Sequence, residues 1–126
     1  MNIAIVTGAS SGMGKEFVLQ LSNYVQVDEI WAVARRKENL EALQTQVSVP
    51  VRPVCLDLLK EESFAEMEQL LAAQKPNVKL LVNAAGFGKF GPYHKVSITD
   101  DCRMIDLNCK ALLVMTRLVL PYMKTG

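Results

Sequence analysis

The sequence predicts an α/β fold in which a parallel sheet carries helices on both faces. Short apolar runs typical of buried strands alternate four times with segments whose apolar residues recur at helical spacing. The chain has 126 residues, a length typical of one domain. Half of its residues, 50%, are hydrophobic, which is enough to form a core. Such alternation predicts strands joined by right-handed crossovers.

Four apolar runs are the predicted strands, at residues 2–7, 30–34, 51–56 and 78–82. The third run is flanked at its entry by Pro50 and Pro53, where proline is tolerated near the start of a strand. Each run is followed by a helical pattern, and the predicted helices span residues 13–24, 40–47, 61–74 and 99–123. Phe64, Met67 and Leu71 are predicted to face the core from the third helix.

A glycine-rich loop joins the first strand to the first helix. Gly8 permits a sharp turn off the strand, Gly12 permits close approach of the backbone to an anion, and Gly14 permits close packing of helix on strand. Met13, Phe17 and Leu21 recur at helical spacing behind the loop. The free N–H groups of the helix N-terminus would then point at a pyrophosphate. A tight turn without a ligand is the alternative.

Residues 7–14, read as Thr-Gly-Ala-Ser-Ser-Gly-Met-Gly, resemble the cofactor loop of the short-chain dehydrogenase/reductase family. Four further family landmarks have candidates in the right order, at residues 32–36, 57–58, 83–86 and 108. The resemblance implies a Rossmann-like doubly wound sheet of strand order 3-2-1-4. It also implies a cofactor site formed by Gly8, Ser10, Ser11, Gly12, Met13, Gly14, Arg35, Arg36, Asp57, Leu58, Asn83, Ala84, Ala85 and Gly86.

Two arginines follow the second strand, where an NAD-binding site usually places an acid. A guanidinium offers a 2′-phosphate a charge-assisted fork, whereas a carboxylate would repel it. Arg35 and Arg36 therefore favour NADP(H) over NAD(H), and the resemblance makes Arg35 the stronger candidate. The alternative is that both arginines merely solvate a loop. They also count against a site for a methyltransferase-type adenosyl ligand.

Polar and small residues follow the next two strands. By resemblance, Asp57 and the backbone of Leu58 would contact the adenine, although Asp57 could instead cap the following helix. The small residues of segment 83–86 would let a ribose lie against the backbone, and Asn83 could tie neighbouring strands together. Ala84 stands where the family often has a second asparagine, which removes one side-chain contact.

Asn108 is the one residue that the resemblance implies to be catalytic, by holding a water that relays protons. From the residues alone, an asparagine within an apolar helix is expected to be structural. The family's Tyr-x-x-x-Lys pair is absent from the chain, because Asp28, Ser97 and Gly126 stand four places after its three tyrosines. We therefore expect the chain to be the cofactor-binding front half of a carbonyl or alcohol oxidoreductase, inactive alone. A non-catalytic nucleotide-binding or regulatory module is the alternative.

The 14 basic and 13 acidic residues argue against nucleic acid or an anionic membrane as the main partner. Cys55, Cys102 and Cys109 show no metal-ligand spacing and are expected to be reduced, buried thiols. The start of the chain lacks the features of a signal peptide, which leaves the cytoplasm as the expected location.

The last predicted helix begins with a plausible capping box at residues 97–100. Its apolar residues cover more than the one face that packing on the sheet requires. A second buried contact is therefore expected in addition to the contact with the sheet. By resemblance this contact would be a subunit interface formed through helix 99–123, making the protein a homo-oligomer. The alternative is packing on a further part of the same chain.

Overall fold

The computed structural model describes residues 1–10, 12–85 and 98–123. The strands are β1 (Asn2–Thr7), β2 (Glu29–Ala34), β3 (Val51–Cys55) and β4 (Asn77–Asn83). The α-helices are α1 (Gly12–Gln20), α2 (Lys37–Leu43), α3 (Glu61–Gln74), α4 (Ile98–Ile105) and α5 (Ala111–Val119). A π-helical stretch, Asp106–Lys110, joins α4 to α5, and short 3₁₀ turns follow α1 and α5.

The four strands form one parallel sheet of order β3-β2-β1-β4, as predicted. The central strand β1 pairs with β2 on one side, where Thr7 lies beside Val33, and with β4 on the other, where Thr7 lies beside Asn83. The carboxyl ends of the strands therefore meet at one edge of the sheet.

Helices cover both faces of the sheet, which confirms the doubly wound prediction. On one face, Ile5 and Trp31 pack with residues of α3 and α5 such as Met67 and Met115. On the other face, a second cluster joins alternate residues of β1 and β2 to α1 and α2. The alternation follows from the period of two in a strand, which sends successive side chains to opposite faces.

Strand β4 contains a bulge at Lys79. Val78 pairs with Ile3 and Leu80 pairs with Ala4, so Lys79 is an extra residue without a counterpart on β1. Val78 therefore belongs to the α3/α5 core while Leu80 belongs to the opposite core, although the two are an even number of residues apart. Beyond the bulge the alternation is regular to the end of the strand.

Trp31, the single tryptophan, is 1% exposed at the centre of the sheet. Its indole N–H donates to Glu29 Oε1 at 2.7 Å, and the Arg52 guanidinium lies 5.5 Å from the ring centroid. Arg52 Nε also donates to Glu29 Oε1 at 3.1 Å. This cluster joins β2 to β3 by a charge-assisted hydrogen bond and a cation–π contact.

Several boundaries and faces differ from the prediction. Helix α2 ends before Val47, which packs against the core from the following turn. The inward face of α1 is formed by Gly14 and Val18, whereas Met13 and Phe17 are exposed, because the glycine loop brings the helix onto the sheet at Gly14. The last helical region is not one α-helix, since the π stretch interrupts it. Of the predicted capping box, Ser97 lies outside the described residues.

The prediction of buried thiols was wrong, because all three cysteines are exposed. Cys55 ends the outer strand β3, where its neighbour Val54 takes the buried position. Cys102 and Cys109 lie on α4 and the π stretch, away from the sheet. Cysteine is among the residues most often buried in proteins, but the exposure of a particular cysteine depends on its position within an element.

The helical region from α4 to the turn after α5 exposes large apolar side chains, and the second buried contact expected from the apolar surplus stays a prediction. They are Ile98, Ile105, Leu112, Leu113 and Leu120. In the parts of the chain that the structure describes, every helix is too short or too polar to cross a membrane.

Candidate functional site

The candidate site lies at the carboxyl edge of the sheet, where the ends of β1, β2, β3 and β4 lie side by side. Ala34 pairs with Cys55, and Thr7 lies between Val33 and Asn83. The loops that follow these strands carry the glycines, the two arginines, Asp57 and the 83–85 segment. Ligands of open α/β sheets bind in general at this edge.

The glycine loop is packed so closely that two of its positions have no room for a side chain. A Cβ atom on Gly8, whose φ is +65°, would lie 2.7 Å from the carbonyl oxygen of Ala84 and from the amide nitrogen of Ala85. A Cβ on Gly14 would overlap the carbonyl oxygen of Gly8. Gly12, at φ +58°, has open space where its Cβ would be. The loop thus offers a backbone surface that an anion can approach.

Thr7 holds the glycine loop and the end of β4 together. Its hydroxyl oxygen accepts hydrogen bonds from the amides of Ala84 at 3.1 Å and Ala85 at 3.2 Å. The same hydroxyl lies 3.4 Å from the carbonyl oxygen of Val82, to which it donates. Thr7 is 1% exposed, so these bonds satisfy backbone groups that water reaches poorly. Its place next to Gly8 in the sequence gave no signal of this role.

In the part of the chain that the structure describes, the Asn83 side chain bonds to helix α5, whereas a contact between neighbouring strands was expected. Its Nδ2 donates to Thr116 Oγ1 at 3.1 Å, and Thr116 in turn donates to the carbonyl oxygen of Leu112 at 2.7 Å. The reason is register: Asn83 lies on the same face as Thr7 and Leu81, which is the face covered by α5. Thr116 was missed because a threonine within an apolar helix carries no functional pattern.

Arg35 and Arg36 follow the end of β2 and are exposed. The amide of Ala9 in the glycine loop donates to the carbonyl oxygen of Val33 at 3.2 Å, which fixes the loop beside this strand end. Arg35 and Arg36 therefore follow β2 at a point next to the glycine loop. Their positive charges lie at the edge of the sheet where a phosphate held by that loop would bring negative charge.

Asp57 stabilises a turn and is not the N-cap of α3. Its Oδ1 accepts the amide of Leu59 at 3.0 Å, and its backbone carbonyl accepts the Ser63 hydroxyl at 2.7 Å. The N-cap position belongs to Lys60, which makes no side-chain capping bond. Leu58 is buried in the α3/α5 core, so its backbone is the part available at the edge.

Asn108 lies in the π stretch and is exposed. A π turn within a helix widens the backbone locally and frequently marks a functional position. Two residues later, Lys110 pairs with Glu61 in the first turn of α3. The hydrogen bond from Lys110 to Glu61, with the charge attraction between them, raises the pKa of the Lys110 ammonium above its usual value of 10.5.

The remaining predicted site residues are placed as follows. Ser10 is half-buried in the glycine loop, and Met13 is exposed in the first turn of α1. Ser11 and Gly86 lie outside the described residues. Among the described residues, no three acidic, cysteine or histidine side chains group closely enough to hold a metal ion.

The whole chain matches a known family. A profile of the short chain dehydrogenase family matches residues 2–126, which is nearly every residue. The chain belongs to the short chain dehydrogenase family. An NADP-dependent 3-hydroxy acid dehydrogenase of Salmonella typhi, YdfG, is 37% identical over 122 residues, which are 96% of this chain and 48% of that protein.

Solved structures of family members share the fold. Serine dehydrogenase from Escherichia coli superposes with a TM-score of 0.77 at 33% identity, over 97% of this chain and 56% of the other. A metagenomic short-chain oxidoreductase in complex with NADP superposes with a TM-score of 0.83 at 28% identity, over 96% of this chain and 56% of the other. The chain spans about half the length of the relatives it matches.

Proposed function

We propose that this chain is the cofactor-binding half of an NADP(H)-dependent oxidoreductase, and that residues 1–126 form a single NADP(H)-binding domain. The observation that carries the proposal is the junction of the glycine loop with two neighbouring strand ends. Gly8 and Gly14 have no space for a Cβ, and Gly12 faces open space. This is the cradle that a pyrophosphate requires. Two of the relatives named above support the proposal: YdfG is an NADP-dependent dehydrogenase, and the metagenomic oxidoreductase was solved in complex with NADP.

The proposed roles follow from position along the carboxyl edge. The glycine loop, with Ser10, Ser11 and Met13, holds the pyrophosphate through backbone N–H groups. Arg35 and Arg36 bind the 2′-phosphate by charge-assisted hydrogen bonds. The remaining groups are Asp57 and Leu58 at the adenine, and Asn83, Ala84, Ala85 and Gly86 along the ribose.

When bound, NADPH would supply a hydride to a carbonyl, and NADP⁺ would accept one from an alcohol. The residues of this chain bind and orient that cofactor. Asn108 is the catalytic candidate, with its side chain holding a water at the widened π turn. Because the 126 residues contain no Tyr-x-x-x-Lys pair, we propose that the chain alone has no reductase activity.

We further propose that the substrate is a small carbonyl compound or alcohol, that the protein acts in the cytoplasm, and that it is a homo-oligomer. The exposed apolar side chains between Ile98 and Leu120 support the last point. A nucleotide-binding or regulatory module without chemistry is the second candidate, which the NADP-dependent relative does not favour. The two candidates share the site and differ in whether a partner polypeptide restores turnover.

Calorimetric titration with NADPH and NADH at fixed salt tests the proposal. We expect NADPH to bind more tightly, and Arg35→Ala to weaken NADPH binding by about tenfold while leaving NADH binding unchanged. Lys79→Ala is the matched control, because Lys79 is exposed in the amino half of β4, away from the site. A folded chain that binds neither cofactor would refute the cofactor assignment. Equal losses for both cofactors in Arg35→Ala would refute the role of Arg35.

A further inference from the structure

Among the strands that the structure describes, the sheet ends on one side at β3, whose outer edge has no neighbour there. Outer strands in general carry a row of unpaired N–H and C=O groups that another strand can join. In this chain the row is interrupted by two residues, Gln44 and Pro53. Their contacts do not depend on the cofactor site proposed above.

The direction of the backbone groups of β3 follows from its pairing with β2. Ile30 N–H donates to the carbonyl of Pro50 at 2.9 Å, and Leu56 N–H donates to the carbonyl of Ala34 at 3.0 Å. Because backbone groups of successive strand residues alternate in direction, the even-numbered residues face β2. The odd-numbered residues of β3, which are Val51, Pro53 and Cys55, direct their backbone groups outward.

Gln44, in the turn after α2, occupies the first outward position. Its Oε1 accepts the N–H of Val51 at 2.6 Å, and its Nε2 donates to the carbonyl of Val49 at 3.1 Å. In a parallel ladder, one residue of the neighbouring strand accepts from residue i+1 and donates to residue i−1. The carboxamide of Gln44 therefore makes the two bonds that one residue of an added parallel strand would make.

Pro53 occupies the second outward position and has no N–H to donate. Cys55 is then the last outward residue of β3 with an N–H open to an added strand. We infer that Gln44 and Pro53 together close the outer edge of β3 against strand addition, so that neither a second copy of the chain nor another extended segment joins the sheet there. Association of this protein must then use other surfaces.

The double variant Gln44→Met/Pro53→Val tests the inference. Methionine keeps the length of the side chain without its amide, and valine supplies the missing N–H while suiting a strand. Light scattering on the protein as it elutes from a sizing column measures the distribution of molar masses. The wild type is measured at the same concentration. We expect the association constant to rise by about fivefold for each interstrand hydrogen bond gained.

A spin label on Cys55 locates the new contact, in a Cys102→Ser/Cys109→Ser background. Short-range coupling between labels on two copies of the double variant is expected, because both labels then lie at the joined edges. A folded double variant with the wild-type mass distribution would overturn the inference, as would added association without this coupling.

Two single variants complete the test. Gln46→Met adds the same side chain to an exposed position of the same turn, and we expect it to keep the wild-type mass distribution. A rise equal to that of the double variant would overturn the inference, since it would mean that apolar surface drives association. Pro53→Val alone keeps the Gln44 contacts if the double variant fails to fold. We expect a smaller rise, and an unchanged distribution would overturn the inference.

Discussion

The Nδ2 of Asn83 donates a hydrogen bond to the hydroxyl of Thr116 at 3.1 Å, which ties the carboxyl end of β4 to α5. Thr116→Val keeps the shape of the side chain but leaves the partly buried amide of Asn83 without its acceptor. We expect a loss of about 1 kcal/mol in the free energy of unfolding, measured in urea. Thr116→Ser should recover most of it.

Thr45→Val is the control for this measurement. The exposed Thr45 hydroxyl donates to the nearby carbonyl of Ala42 at 2.8 Å, its one hydrogen bond among the described residues. Its removal should change stability by much less than Thr116→Val. Equal losses would mean that the Asn83 contact contributes nothing of its own.

The glycine loop should tolerate substitutions very unequally. Gly14→Ala puts a methyl group into the carbonyl oxygen of Gly8, so we expect the loop to open and cofactor binding to be lost. In the cofactor-free chain Gly12→Ala meets open space, so its effect on stability is the cost of a positive φ, about 1–2 kcal/mol. Gly12→Asn should be milder than Gly12→Ala, because asparagine adopts this backbone region more readily.

Thermal unfolding and cofactor titration of the three glycine variants give the order directly. If Gly14→Ala unfolds at the same temperature as Gly12→Asn, the packing described for the loop is contradicted.

Deletion of Lys79 should be tolerated, although the residue lies inside a strand. Lys79 is the extra residue of the bulge, so its deletion leaves Val78 and Leu80 as consecutive residues that already face opposite cores. Deletion of Leu81 instead moves the side chains on one side of the deletion to the opposite face of the sheet. We expect this to lower the free energy of unfolding by at least about 3 kcal/mol. Circular dichroism and urea unfolding of the two deletions compare them. Similar stabilities would show that the bulge does not absorb a residue.

The ion pair between Lys110 and Glu61 has a pH dependence of defined sign. The pKa of Lys110 is raised in the folded chain, so its contribution to stability is complete below about pH 10.5 and is lost as pH rises through the higher folded pKa. Glu61→Gln should return that pKa toward 10.5. NMR titration of the lysine side chain measures both values, and an unchanged pKa in Glu61→Gln would exclude the pair as the cause.

Much of the fold follows from local pattern. Helix α3 spans the predicted residues, and the alternation of strands with helices predicts a parallel sheet. The strand order 3-2-1-4 was predicted from the family resemblance and not from the alternation. The π stretch around Asn108 could not be predicted, since its residues also suit an α-helix. The bulge at Lys79 is equally hidden, because it depends on pairing with β1.

The candidate site likewise contains residues that the sequence predicts and residues that it does not. Gly8 and Gly14 could be recognised because a backbone without a side chain leaves a direct signal in the sequence. The roles of Thr7, Thr116 and Gln44 could not, because each depends on partners at least five residues away in the chain, and most on a different element. The exposure of the cysteines was mispredicted for a related reason, namely that side-chain burial depends on which neighbours the fold supplies.

Trp31, the single tryptophan, is an intrinsic fluorescence probe of the chain. Because its N–H is held by Glu29 and its ring lies under Arg52, its emission reports on the joint between β2 and β3. Loss of this joint would expose the ring to water and shift the emission to longer wavelength. A scan of emission against denaturant therefore follows this half of the sheet without any added label.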